Sequence, residues 1–269
     1  MNFYSIPTFL GAIFSFILGF LILLKNKKSE QNISFFLMCL TVFLWLFSYT
    51  LVYSTKNDKI AIIFAKVACT AVIFLPITFY HFIIVFLNYK KEKIFVWLFY
   101  FLGLIFLYGF VFTRYFLVGV YKYYWSHYSK AGLLHPIFLV FFFLLFVKGL
   151  ILLFKALRYN KNLSALAREQ IKYILAGLII IGFGSIYFIP KYGVEFYPFG
   201  FLFILIFILI TFYAIIKYNL LDIKIVVTRA GIFISIYSLV VGISFLIGFI
   251  SKSWVLSTPL AIAFASIAP

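Results

Sequence analysis

Three histidines, six acids and two cysteines carry the side chains with the most chemistry in this sequence, and their spacing is poor for catalysis. His81, His127 and His135 pair with no carboxylate at helical spacing. Glu30, Asp58, Glu92, Glu169, Glu195 and Asp222 all fall near or beyond the ends of apolar runs. Cys39 and Cys69 lie inside such runs, where small inert apolar residues are expected rather than a disulfide or metal pair. No metal-ligand cluster and no glycine-rich phosphate loop is present. Gly177, Gly182 and Gly184 have the wrong spacing for a phosphate loop and suit close helix packing. The expectation is a chain without catalytic residues, metal or cofactor.

Four residues are candidates for binding. Lys66 is a charge inside an apolar run, roughly 9 Å deep by helical rise. It admits two readings: a lysine that snorkels to headgroups, or a cation in a ligand cavity. His81 follows fifteen residues later as a structural histidine or a proton relay, one turn after Pro76, which should kink the helix. The stretch Arg114 to His135 is rich in amphipathic rings, among them Tyr121, Tyr123, Tyr124, Trp125 and Tyr128. It reads either as an interfacial belt or as a lid over a pocket. A site near Lys66, Arg114, Trp125 and His135 would join cations to aromatic rings, fitting a small ligand with an anionic head and an apolar part.

The elements that must position these residues are membrane helices. Of 269 residues, 66% are hydrophobic and 11% charged, and mean hydropathy is +1.18. A soluble chain is about 45–50% apolar and about 25% charged. Seven apolar runs of about 20 residues are evident: 4–24, 33–53, 60–87, 94–113, 133–154, 170–189 and 198–216. Each can cross about 30 Å of hydrocarbon, and only helices satisfy every backbone group there. The fold class is an all-α polytopic bundle, with an eighth run at 230–250 and a partial ninth at 260–269. The last is too short to span, so a longer parent protein is expected. The domain reading is a seven-helix membrane region over 1–229, then further membrane segments over 230–269.

Net charge is +17, yet the basic residues form no patch for nucleic acid. Fifteen Lys and Arg fall in or beside the loops after the first, third, fifth and seventh runs, and seven in the others. The positive-inside rule puts the first set in the cytoplasm and the N-terminus outside, in a bacterial inner membrane. The linker after the seventh run carries one acid, Asp222. Arg168 and Lys172 open the sixth run on the same side, so an ion pair from Asp222 to either is expected to latch the linker.

Three patterns carry a resemblance: Arg168-Glu-Gln-Ile-Lys-Tyr173, Tyr197-Pro-Phe-Gly200 and Tyr218-Asn-Leu-Leu-Asp-Ile223. With Pro76 and His81-Phe82, their order relative to the runs resembles the N-terminal seven-helix sensor region of bacterial histidine kinases. The resemblance implies a membrane sensor that passes an external or membrane-dissolved signal to a cytoplasmic kinase, or another output domain, in cis. It also implies a homodimer through the full-length protein, with Arg168, Lys172, Tyr218 and Asp222 placed for transmission. Membrane lipid is the other expected partner. The alternative is a multipass transporter or permease subunit, against which the lack of a mid-membrane carboxylate argues.

Overall fold

A computed structural model describes residues 2–113, 115–160, 163–218 and 220–222. The eighth and ninth apolar runs lie outside the described residues, as does Arg114. The helices are α1 (Ile6–Lys25), α2 (Glu30–Ser54), α3 (Asp58–Phe86), α4 (Lys93–Phe112), α5 (Leu134–Tyr159), α6 (Ala165–Gly182) and α7 (Phe201–Tyr218). Six helical stretches are long and apolar enough to cross a membrane, and α7 is a shorter apolar helix. The chain is therefore an all-α polytopic membrane bundle.

Side-chain caps fix several of the starts. Ser29 accepts the backbone N–H of Asn32, Asn57 accepts those of Lys59 and Ile60, and Ser164 accepts that of Ala167. Pro76 is carried inside α3, where it removes one intrahelical donor. Sequential helices run alternately up and down. The loops after α1, α3 and α5 thus share one end of the bundle with the end of α7, here the basic end.

The core sits between α1, α2 and α3, with α6 and α7 closing one side and α5 bridging α3 to α6. Apolar burial drives no association of helices within lipid, so close approach matters more. A Cβ on Gly19 would stand 2.5 Å from the Cβ of Cys39, so only glycine lets α1 lie this near α2. Gly177 faces Phe207 of α7 and Gly182 faces Phe146 of α5, the packing role read from the sequence. The outer face of α4 presents Trp97, Phe101, Tyr108 and Phe112 to its surroundings, as a lipid-facing helix does.

The aromatic stretch between α4 and α5 holds regular structure that its composition conceals. Strands β1 (Leu117–Lys122) and β2 (His127–Ala131) pair antiparallel, with Val120 opposite Ser129 and Lys122 opposite His127. This hairpin closes the end opposite the basic loops.

Candidate functional site

The hairpin plugs that end of the bundle, with part of its aromatic content turned inward. Trp125 and Tyr128 are 1% and 0% exposed, while Tyr124 keeps its ring outside. The turn between the strands is tied down on several sides. Asn2 Nδ2 donates to the Trp125 carbonyl at 2.7 Å, and Ser126 Oγ donates to the Tyr53 carbonyl at 2.7 Å. The Tyr124 N–H donates to Glu195 Oε1 at 2.8 Å. At the side, Asp58 receives Lys122 Nζ on one oxygen at 2.9 Å and faces His127 Nε2 with the other at 3.0 Å. His127 Nδ1 lies 3.0 Å from the Thr55 carbonyl. Asp58 and His127 are 69 residues apart, so local spacing in the sequence gave no sign of the pair.

Under the plug lies a shell of rings contributed by four elements. Tyr49 stacks on Tyr128 at 4.9 Å between ring centres and neighbours Tyr53 at 5.6 Å and Tyr187 at 6.1 Å. Trp125 meets Tyr53 edge-on at 5.4 Å, and Tyr197 at 5.5 Å. Tyr128 Oη donates to the Tyr187 carbonyl at 2.5 Å, and Tyr197 Oη to the Tyr4 carbonyl at 2.9 Å. Burial holds both of these phenols well above the ordinary tyrosine range, so they stay O–H donors. Burial likewise pushes Tyr123 up to about 12, and its hydroxyl donates to the Pro190 carbonyl at 2.7 Å.

Beside this shell is a lysine that the sequence placed in a turn. α6 continues into a 3-10 helix, Phe183–Tyr192, which ends at Gly193 with φ of 93°. Three residues per turn line up Gly184, Tyr187 and Pro190 along one edge and Phe188 and Lys191 along the next, and all five are buried. Lys191 is 3% exposed. Its ammonium donates to Ser129 Oγ at 2.9 Å, approaches Cys69 Sγ at 3.6 Å and faces the Tyr49 ring at 5.8 Å. Ser129 Oγ is also within 2.8 Å of Tyr49 Oη. Lys191 escaped the sequence reading because Pro190-Lys-Tyr-Gly has the composition of an exposed turn.

The four residues expected to bind a ligand are only partly brought together. Trp125 belongs to the shell. His135 is 1% exposed near the top of α5, its Nδ1 2.7 Å from Tyr192 Oη, so it adjoins the 3-10 helix that carries Lys191. Lys66 is exposed on the same face of α3 as Ile63 and Val67, whereas Ala65, Ala68 and Cys69 face inward. That placement suits the snorkelling reading. Arg114 lies outside the described residues. A cleft of about 530 Å³ opens between the hairpin turn and the α2–α3 loop, lined by Tyr53, Lys56, Lys122, Trp125 and His127 among others.

At the basic end the polar contacts are of another kind. Glu92 accepts Tyr80 Oη at 2.5 Å and Lys148 Nζ at 3.0 Å, and Lys93 pairs with Glu30 at 2.6 Å. Lys148, grouped by charge with the loop that follows, stands inside α5 and lies over the Phe95 ring at 4.3 Å. His81 Nδ1 lies 3.2 Å from Tyr100 Oη. Of the transmission residues, Lys172 pairs with Glu169 at 2.6 Å, and Arg168 donates to the Leu157 carbonyl at 3.5 Å. The side chain of Asp222 lies outside what is described, so its expected latch does too. A contact joining α6 to the end of α7 runs from Gln170 Nε2 to the Tyr218 carbonyl at 2.8 Å, beside the tilted ring pair of Tyr173 and Tyr218. Leu220 and Leu221 then turn inward and are buried, Leu221 with φ of 65°.

Among the described residues no group of three or more His, Cys, Asp or Glu could hold a metal. A family model described as the N-terminal 7TM region of histidine kinase matches residues 7–224. Neither a curated protein nor a solved structure matches the chain.

Proposed function

The chain belongs to the family of N-terminal seven-transmembrane regions of histidine kinases, and on that premise we propose that it receives a signal at the hairpin-capped end and relays it through α6 and α7 to an output domain in cis. The sensory region of such kinases is not itself a catalytic domain. The observation that carries the relay is one unbroken mechanical path. Lys191 and Tyr187 sit on the 3-10 helix that continues α6, and the short segment after it, 193–200, leads into α7. The far end of α7 is then held to the start of α6 by Gln170 and Tyr218. A shift of the plug would move the 3-10 helix, and with it the α6–α7 pair against the rest of the bundle. Such a device needs two packings that differ by a few kcal/mol, with the signal favouring one.

In this reading the hairpin faces outside, the basic end lies in the cytoplasm of a bacterial inner membrane, and residues 1–229 form the sensor domain. The output domain is a histidine kinase, working as a homodimer. Arg168, Lys172, Tyr218 and Asp222 lie where the path leaves the bundle, and the Gln170–Tyr218 tie is its latch. Support against the transporter alternative is that Glu30, Asp58, Glu92, Glu169 and Glu195 stand at or beyond helix ends.

The test is autophosphorylation of the native protein in membrane vesicles. Gln170→Leu at the basic end and Tyr197→Phe at the hairpin end should each change basal phosphorylation severalfold, the size of a bias of about 1 kcal/mol. Basal activity unmoved by both, with the protein inserted normally, would remove the proposed path.

A further inference from the structure

We propose that the polar cluster sealed under the hairpin binds a small oxyanion, of which a carboxylate is the model, and that its oxygens supply the acceptors the cluster lacks. The proposal deepens the sensor reading and rests on it, since this anion would be what the hairpin end detects.

The argument is a count of donors and acceptors. A buried ammonium has three N–H donors and is costly to bury without an anion. Lys191 meets the hydroxyls of Ser129 and Tyr49, a thiol and a ring face, all neutral. Three more side chains in the same aromatic shell are buried with no acceptor for their own O–H or N–H: Tyr53, Tyr187 and Trp125. The indole N–H can only donate. Four carbonyls around the cluster each already accept one side-chain donor: that of Tyr53 from Ser126, that of Trp125 from Asn2, that of Tyr187 from Tyr128 and that of Pro190 from Tyr123. The two described acids at this end are occupied on the rim, Asp58 with Lys122 and His127, and Glu195 with the Tyr124 N–H. The interior is thus rich in donors, carries one positive charge and has no carboxylate among the described residues.

That is the complement of an oxyanion. Its charge would be neutralised by Lys191, and its oxygens would accept from Ser129, from the O–H groups of Tyr53 and Tyr187 and from Trp125. Rings of Tyr49, Tyr53 and Tyr128 would flank any flat or apolar remainder. The cleft by which it could arrive is lined by two of these donors, Tyr53 and Trp125, and by the cations Lys56 and Lys122, whose field raises the local concentration of anions. The hairpin turn stands between cleft and cluster, so binding and movement of the plug would be coupled.

The experiment uses the native protein in nanodiscs of uncharged lipid, titrated with acetate, benzoate, phosphate and chloride at constant ionic strength. Thermal unfolding and tryptophan fluorescence are the readouts. At least one oxyanion should stabilise the wild type saturably, and chloride should do less. Lys191→Met should bind about 10- to 100-fold more weakly, the scale of a lost charge-assisted hydrogen bond. In anion-free buffer it should be at least as stable as the wild type, because an uncompensated buried charge is gone. If that variant fails to fold, Lys191→Arg, which should retain binding, and Trp125→Phe, which removes one donor but keeps a ring, still decide. No saturable response in the wild type, or one that Lys191→Met and Trp125→Phe both keep, overturns the site. An equal response to chloride overturns the oxyanion assignment. Anion binding that leaves autophosphorylation untouched would uphold the site and sink the sensor reading, whereas a kinase response to another signal without anion binding would do the reverse.

Discussion

Lys191 shows how much a single side chain depends on its neighbours in space. Its sequence context is that of a turn, and the turn is real, since Gly193 follows in the left-handed region. What the local sequence does not encode is a hairpin sixty residues earlier whose Ser129 reaches over it. Asp58 is a second case. It was one of six scattered acids, yet it clamps the hairpin by holding Lys122 and facing His127. Asp58→Asn removes the charge that both partners meet while keeping the shape. Backbone amides of β1 and β2 should then exchange with deuterium faster, while those in the middle of α2 and α3 stay protected. Unchanged protection across 117–131 would mean that the backbone ties of the turn hold the hairpin alone.

Among the elements, the motifs behind the family resemblance acquire physical content. In Tyr197-Pro-Phe-Gly200, Tyr197 hydrogen-bonds the N-terminal segment, and Gly200 admits the 3-10 helix. A Cβ on Gly200 would stand 2.5 Å from the Tyr187 ring and 3.1 Å from the Gly184 carbonyl. Tyr187 is fully buried against Trp45 and Tyr49, so its ring has nowhere to go. In Arg168–Tyr173 and Tyr218–Ile223, the two motifs meet through Gln170, Tyr173 and Tyr218. Their order along the chain was readable in the sequence, and their contact was not. Gly200→Ala should destabilise the protein by about 1–3 kcal/mol through overpacking. Adding Tyr187→Ala should cost less than the sum of the two single changes, because it clears the space that the new methyl needs. Thermal unfolding of the four proteins measures this coupling, and additive losses would show that Gly200 is not there for Tyr187.

Taken whole, the molecule is legible where composition decides and opaque where pairing does. Runs of twenty apolar residues leave no choice but helices, so the seven helices fall within a few residues of the runs, although the sixth ends early and continues as 3-10 helix. The hairpin is not legible in the sequence because Leu117–Lys122 and His127–Ala131 are short and their aromatic content fits a membrane surface equally well. The charge asymmetry survives into three dimensions as an arrangement of ends. Lys25, Lys90, Lys91, Lys93 and Lys217 share one end, which also carries Glu30 paired with Lys93. The opposite end is capped by the hairpin and holds Lys56, Lys59, Lys122, Lys130 and the buried Lys191. Translocating the basic end would carry a concentrated positive charge against the membrane potential, at about 2.3 kcal/mol per charge per 100 mV. The hairpin end carries fewer basic residues, and Asp58 offsets Lys122. The expected topology therefore has Lys27, Lys91 and Lys155 in the cytoplasm and Lys122 outside. Cysteines introduced at these positions in a Cys39→Ala, Cys69→Ala background should report it. Lys122→Cys should react with a membrane-impermeant maleimide on intact cells, and Lys91→Cys only after the membrane is opened. Labelling of Lys91→Cys on intact cells would invert the bundle and place the anion site on the cytoplasmic side.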